Sequence, residues 1–287
     1  MRSLALLLVM LLAACSSSPQ VLPPPVVAHP GSIIDLRSGQ VLSPAELVER
    51  LSGVPRVIVG EQHDNADHHA LQLWLLRSLS AGRPQGSLLL EMLNPDQQPR
   101  VDAVKRTLDG RRLPDDLPGL LAWQSGWDWS LYGPLLSYAL IQPYPLLAAN
   151  LDRQEVRGIY ARPPVLRGDR VSASAVTEAL SAQIRESHCG SLPERQVPAM
   201  LAVQQQRDRR MAERLLAAPP PALLFAGAFH GRKDLGVPLH IADQGQSQDV
   251  AVLILAEQGS EVLASAADFV WYTPSQPYKD YCAQLRR

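Results

Sequence analysis

Two histidines in this chain close apolar runs at the same spacing. One run reads Val57-Ile58-Val59-Gly60-Glu61-Gln62-His63, the other Leu224-Phe225-Ala226-Gly227-Ala228-Phe229-His230. A third run, Leu88-Leu89-Leu90, stops at Glu91. Imidazoles and a carboxylate so placed can bind a metal, move protons or hold a ligand's charged groups. His63 opens a dense polar stretch that includes Asp64, Asn65, Asp67, His68 and His69. The last two are neighbours and face about 100° apart on a helix, so at most one joins a site. The plain alternative for this stretch is a polar loop with helix-capping residues. Glu91 ends an apolar run and must be paired or hydrogen-bonded there. It either joins the site or forms an ion pair with Arg153 or Arg232. Arg153, which can grip a carboxylate bidentately, follows Asn150, and Arg232 and Lys233 follow His230.

These groups can meet only if the runs are strands of one sheet. Apolar runs bounded by Gly and polar residues, alternating with helical patterns, read as buried parallel strands. We expect strands at Arg56–Gly60, Ser87–Glu91, Leu146–Ala149, Ala222–Ala226, Val250–Leu255 and Phe269–Tyr272. Helical spacing covers Ala66–Ser80, Leu131–Ile141, Ala173–Glu186 and Val197–Leu216, and Asn94-Pro95 starts another helix. The fold class is therefore α/β, a mostly parallel sheet flanked by helices. Its ligand crevice lies beyond the carboxyl ends of the strands. The stretch from Gly110 to Gln142, with the helices before the Ala222 strand, supplies a helical lid or insertion. Trp123, Trp127 and Trp129 cluster near Tyr132 as either core or ligand platform.

Residues 1–14 read as a signal peptide, with Arg2 ahead of the apolar Leu4–Leu12. Leu12-Ala13-Ala14-Cys15 is similar to a bacterial lipobox, which makes Cys15 the lipidated residue; the alternative is an ordinary cleavage near Ala14. Ser16 after the cysteine favours the outer membrane of a Gram-negative bacterium. Residues 15–30 form a Pro- and Ser-rich tether, and 31–287 a single α/β domain. No later run is long enough to span a membrane. Net charge is −1, which argues against nucleic acid as a partner. Cys189 and Cys282 are either bridged or free.

Two function classes fit these residues. A metal-dependent hydrolase would use His63, His230 and Glu91 as ligands of a divalent metal, with Glu61 or Glu91 as general base. A binding protein would hold an anionic ligand with the cations and an apolar body with the aromatic patch.

The second class gains from a resemblance. Gly60-Glu61-Gln62-His63-Asp64-Asn65 with His68, His69 and Gln72, then Leu90-Glu91-Met92, carry its first half. Trp127 with Tyr132-Gly133-Pro134, Ala149-Asn150-Leu151-Asp152-Arg153, a helix bearing Gln204, Asp208, Met211 and Ala212, and Gly227-Ala228-Phe229-His230 complete it. The chain resembles the ChaN-like haem-binding, iron-regulated lipoproteins, within the wider Tiki/TraB and erythromycin-esterase-like superfamily. The resemblance implies ferric haem held at a homodimer interface for iron uptake, with haem-transport components as further partners. It implies two stacked haems, each iron ligated by a tyrosine of one subunit, with the propionates held by a histidine and a lysine of the other. Tyr132 is the first choice of ligand, with Tyr138, Tyr272 and Tyr278 as alternatives. Lys233, beside His230, is the expected propionate partner, with Arg153 or another arginine able to replace it. Trp127 is expected to line the pocket.

Overall fold

The computed structural model describes residues 31–108, 113–277 and 279–284. The expected signal peptide, Cys15, the tether, Gly110 and Tyr278 lie outside these residues.

The chain opens with two short strands, β1 (Ile33–Asp35) and β2 (Val41–Leu42), then α1 (Pro44–Ser52). Ser43 and Glu46 form a capping box at the start of α1. Next come β3 (Arg56–Glu61), α2 (Ala66–Gly82), β4 (Ser87–Leu90) and α3 (Gln98–Leu108). The chain continues through α4 (Leu117–Leu120), α5 (Trp129–Leu140), β5 (Leu146–Ala148), α6 (Arg153–Ala161), α7 (Ser174–Ser187) and α8 (Val197–Ala217). It closes with β6 (Ala222–Gly227), α9 (Ala228–Gly231), α10 (Val237–Ala242), β7 (Val250–Glu257) and β8 (Phe269–Thr273).

One eight-stranded sheet runs in the order β2-β1-β8-β7-β3-β6-β4-β5. The six strands from β8 to β5 are parallel, and β1 and β2 add antiparallel to one edge. The sheet buries both faces, so its strands are apolar throughout. Val57 and Val59 of β3 point into one core with Leu88, Leu90, Leu223 and Phe225, under α1, α2, α3 and α5. Ile58 points into the other, with Leu89, Leu224, Ala226 and Ile254, under α8 and α10. This period of two is what pleated strands require.

The six expected strands and the flanking helices are present. The segment expected to form a lid divides. Helix α5 packs into the first core through Tyr132, Leu135, Leu136, Ala139 and Leu140, so it covers the sheet. Residues of α7 and α8, Gln183 and Gln204, do reach the rim. Cys189 and Cys282 are bridged, tying the end of α7 to the C-terminal segment.

Candidate functional site

Strand β3 ends at Glu61, and the turn that follows carries His63 to the rim. Parallel pairing sets Glu61 opposite Gly227 at the end of β6. Glu61 is buried, and its Oε1 accepts from His63 Nδ1 at 2.7 Å and from the Tyr132 hydroxyl at 2.9 Å. Burial would lower the His63 pKa, but the bond to Glu61 together with the Glu61 and Glu91 charges raises it. Gly227 lets this ring sit close: a Cβ there would lie 2.9 Å from His63 Cε1 and Nε2.

The neighbouring histidines are structural. Asn65 caps α2 by accepting from Asp67 and His68 N–H groups. The Gln62 N–H donates to His68 Nδ1, and His68 Nε2 reaches Thr273 Oγ1 at 3.1 Å. Burial drops the His68 pKa to about 3, so the ring is neutral. His69 Nε2 bonds the His63 carbonyl at 3.0 Å, and its ring packs on Tyr132.

His230 anchors the second half. Its Nδ1 donates to Asp208 Oδ1 at 2.5 Å, and its Nε2 lies 3.4 Å from Glu91 Oε1. Glu91 Oε2 accepts from the Gly227 N–H at 2.8 Å. Burial disfavours the imidazolium, yet the Glu91 and Asp208 charges overcome it and raise the pKa to about 10. Glu91 would be raised by burial, but the charge and hydrogen bond of His230, with the His63 charge and the Gly227 N–H, hold it well below the usual carboxylate range. Burial pushes Asp208 upward. The result is a buried cation between two acids, beside an exposed histidine on a buried acid.

Two cavities adjoin this centre. One, of about 590 Å³, lies beyond the ends of β3, β6 and β7, with Glu61, His63, Gln204 and His230 among its polar walls and Phe229, Ile254, Val262 and Leu263 among its apolar ones. The other, of about 440 Å³, is bounded by Glu91, Trp127, Asn150 and the arginines of α6. Trp127 of the second cavity is set edge-on to His63 of the first, with ring centroids 4.9 Å apart.

The expected site residues fall into different surroundings. Tyr132 does not reach either cavity: it is 1% exposed, and burial with Glu61 beside it drives its pKa far up, against the phenolate an iron ligand needs. Lys233 turns away to Asp268, 2.7 Å from its Nζ, because Asp268 is buried and gathers Lys233, Arg37 and the Val252 N–H. His230 has Asp208 on one ring nitrogen and Glu91 near the other, and it lines the larger cavity. Among the described residues no three His, Cys, Asp or Glu side chains are grouped to hold a metal ion, so His63, His230 and Glu91 do not form the expected ligand set. Glu91 pairs with His230 rather than with Arg153 or Arg232, and Arg232 is bound to Asp234 at 2.6 Å.

The residue that sequence reasoning passed over is Tyr160. It sits on α6, a helix with no buried residue, is 36% exposed, and its hydroxyl makes no hydrogen bond among the described residues. Its signal was the helical spacing Arg153, Val156, Arg157, Tyr160, which puts all four on one stripe.

A family model described as "Haem-binding uptake, Tiki superfamily, ChaN" matches residues 47–241. A solved structure described as cofacial heme binding to ChaN of Campylobacter jejuni matches with a TM-score of 0.76 and 27% identity, over 84% of this chain and 96% of that one. An erythromycin esterase in its open conformation matches with a TM-score of 0.48 and 13% identity, over 90% of this chain and 86% of that one. The curated proteins give no match. The family model spans well over half of the sequence, and the chain belongs to the ChaN family of haem-binding uptake proteins in the Tiki superfamily.

Proposed function

We propose that the protein binds haem against the outer face of α6, with Tyr160 as iron ligand, and serves haem-iron uptake. Family membership supports haem as the ligand. The observation that carries the choice of place is the state of the tyrosines. Tyr132 and Tyr144 are buried, Tyr138 is half-buried under Arg77, Tyr272 is half-buried on β8, Tyr281 is bonded to Asp64, and Tyr160 on α6 is exposed with its hydroxyl unpartnered among the described residues. A phenolate supplies a hard oxygen donor that suits ferric iron. Val165, five residues along the chain, is 85% exposed. A surface site also suits a cofacial arrangement, in which two copies meet with their haems between them. The lipobox around Cys15 supports a lipid-anchored protein of the outer membrane, positioned to exchange haem with transport components.

The test is a titration of the protein with hemin, followed by absorbance and by sedimentation. The reading predicts a saturable ferric Soret band and a shift toward a dimer. A featureless, non-saturating titration would overturn it.

One observation favours a second reading. His63 is oriented by a buried carboxylate and faces the larger cavity, opposite the cationic His230. A general base facing a fixed positive charge is the equipment for ester or amide hydrolysis without a metal. Turnover of a chromogenic ester that is lost in His63→Ala would support this reading; equal turnover in parent and variant would remove it.

A further inference from the structure

Helix α6 runs out into a loop, Arg162-Pro163-Pro164-Val165-Leu166-Arg167, that sets four apolar residues between two arginines. Val165 is 85% exposed, more than any other large apolar side chain among the described residues. Pro163 and Pro164 are exposed beside it, and Leu166 is half-buried. The loop is pinned at its base. On one side the Arg162 N–H donates to the Gly158 carbonyl at 3.0 Å. On the other the Arg170 and Val171 N–H groups donate to the Asp243 carboxylate at 3.1 and 3.2 Å. Residues 163–167 between these anchors make no hydrogen bond among the described residues. The two prolines have fixed φ and no N–H, so the tip has less backbone to satisfy if it leaves water.

The charge around this tip is opposite in sign to that of the whole chain. Arg153 to Arg170 contains five arginines and two acids, a net +3 in a chain of net −1. Arg210 holds Glu155 at 2.6 Å, and Arg170 reaches Asp243 at 4.0 Å. Arg162 and Arg167 are exposed and make no ion pair among the described residues. An apolar tip between two free guanidiniums matches an anionic bilayer. The apolar residues can enter the headgroup layer while the arginines extend along it to lipid phosphates. A tip this exposed offers a peptide no walls to bind between, and a bilayer needs none.

We propose that the loop 162–167 docks the domain on an anionic phospholipid surface, with Val165 and Leu166 entering the headgroup layer and Arg162 and Arg167 pairing with lipid phosphates. The inference stands apart from the haem reading, because it uses no contact of a haem and no lipid on Cys15. It orients the molecule: the C-terminal end of α6 faces the bilayer. Each arginine near such a surface adds about fivefold to partitioning. Salt weakens that attraction.

The test is cosedimentation of the full-length chain, without hemin, with vesicles of phosphatidylcholine alone or mixed with phosphatidylglycerol. Residues 1–30 are common to parent and variants, so their contribution cancels in the comparison. The parent should partition at least about tenfold more strongly onto the anionic vesicles. That preference should be lost in Arg162→Gln/Arg167→Gln, and Val165→Ser should weaken anionic binding several-fold. These side chains are exposed, so the thermal melts should match the parent. In Val165→Trp, brominated phosphatidylcholine mixed with phosphatidylglycerol should quench the added fluorescence. Equal binding to both vesicle types by the parent, or an anionic preference unchanged in the double arginine variant, would overturn the proposal. So would a Val165→Trp signal that the brominated lipid leaves unquenched. A lipid-free dimer that dissociates in Val165→Ser, with vesicle binding unaltered, would make the loop an interface between copies and overturn it as well.

Discussion

The Tyr132 hydroxyl donates to Glu61 Oε1 at 2.9 Å from a ring that is 1% exposed. That contact makes the tyrosine part of the floor beneath His63, because the same oxygen accepts from His63 Nδ1. The best-matched tyrosine of the sequence therefore orients the site from below.

Tyr132→Phe removes one of the donors to a buried carboxylate whose second oxygen, Oε2, already lacks a partner among the described residues. The expected loss is about 1–3 kcal/mol of stability, read by urea unfolding. The hemin spectrum should not change. A variant as stable as the parent would contradict this role.

Gly227→Ala brings a Cβ to 2.9 Å from the His63 ring. The ring must move off Glu61, at a cost of about 1–3 kcal/mol. The Glu61 bond is the largest of the contributions that raise the His63 pKa, so NMR titration should show a lower pKa in the variant than in the parent. Unchanged stability and an unchanged His63 titration would show that the glycine is not needed for this packing.

His230 has a raised folded-state pKa, so its contribution to stability is complete below 6.5 and is lost as pH rises through about 10. Glu91 has the opposite sign. Its contribution is present above 4.5 and disappears only as pH falls through its depressed folded-state value. Thermal melts should therefore decline on the alkaline side in the parent. His230→Gln should be less stable at neutral pH, with a flatter alkaline limb. An alkaline limb identical in both proteins would assign that decline to other groups.

The Cys189–Cys282 bridge closes a sequence separation of 93 residues. Its removal in Cys189→Ala/Cys282→Ala should cost about 2–5 kcal/mol. Reductant should lower the parent melt toward that of the variant and leave the variant unmoved. A parent melt insensitive to reductant that reaches the thiols would count against a stabilising bridge.

Much of the sheet was legible because its strands are buried on both faces. The runs expected at Arg56–Gly60 and Val250–Leu255 extend by one or two residues in β3 and β7. The elements left unread carry weak patterns. Strand β1 has three residues and is defined by pairing with distant β8. Helix α6 buries nothing, so no core-facing stripe marks it. In the site, Glu61, His63, Glu91 and His230 stood out as polar groups ending apolar runs. Which charges cancel was not legible. Asp208 lies in a helix rich in Gln and Arg that reads locally as a solvated face, and Lys233 meets Asp268 only after the chain has folded. Tyr132 and Tyr160 differ in exposure, a property of packing that their residue type does not carry.

The most direct measurement is the absorption and resonance Raman spectrum of the hemin complex in the parent, in Tyr160→Phe and in Tyr132→Phe. The account predicts ferric–phenolate bands in the parent and in Tyr132→Phe, and their loss in Tyr160→Phe. Phenolate bands that survive in Tyr160→Phe would contradict it.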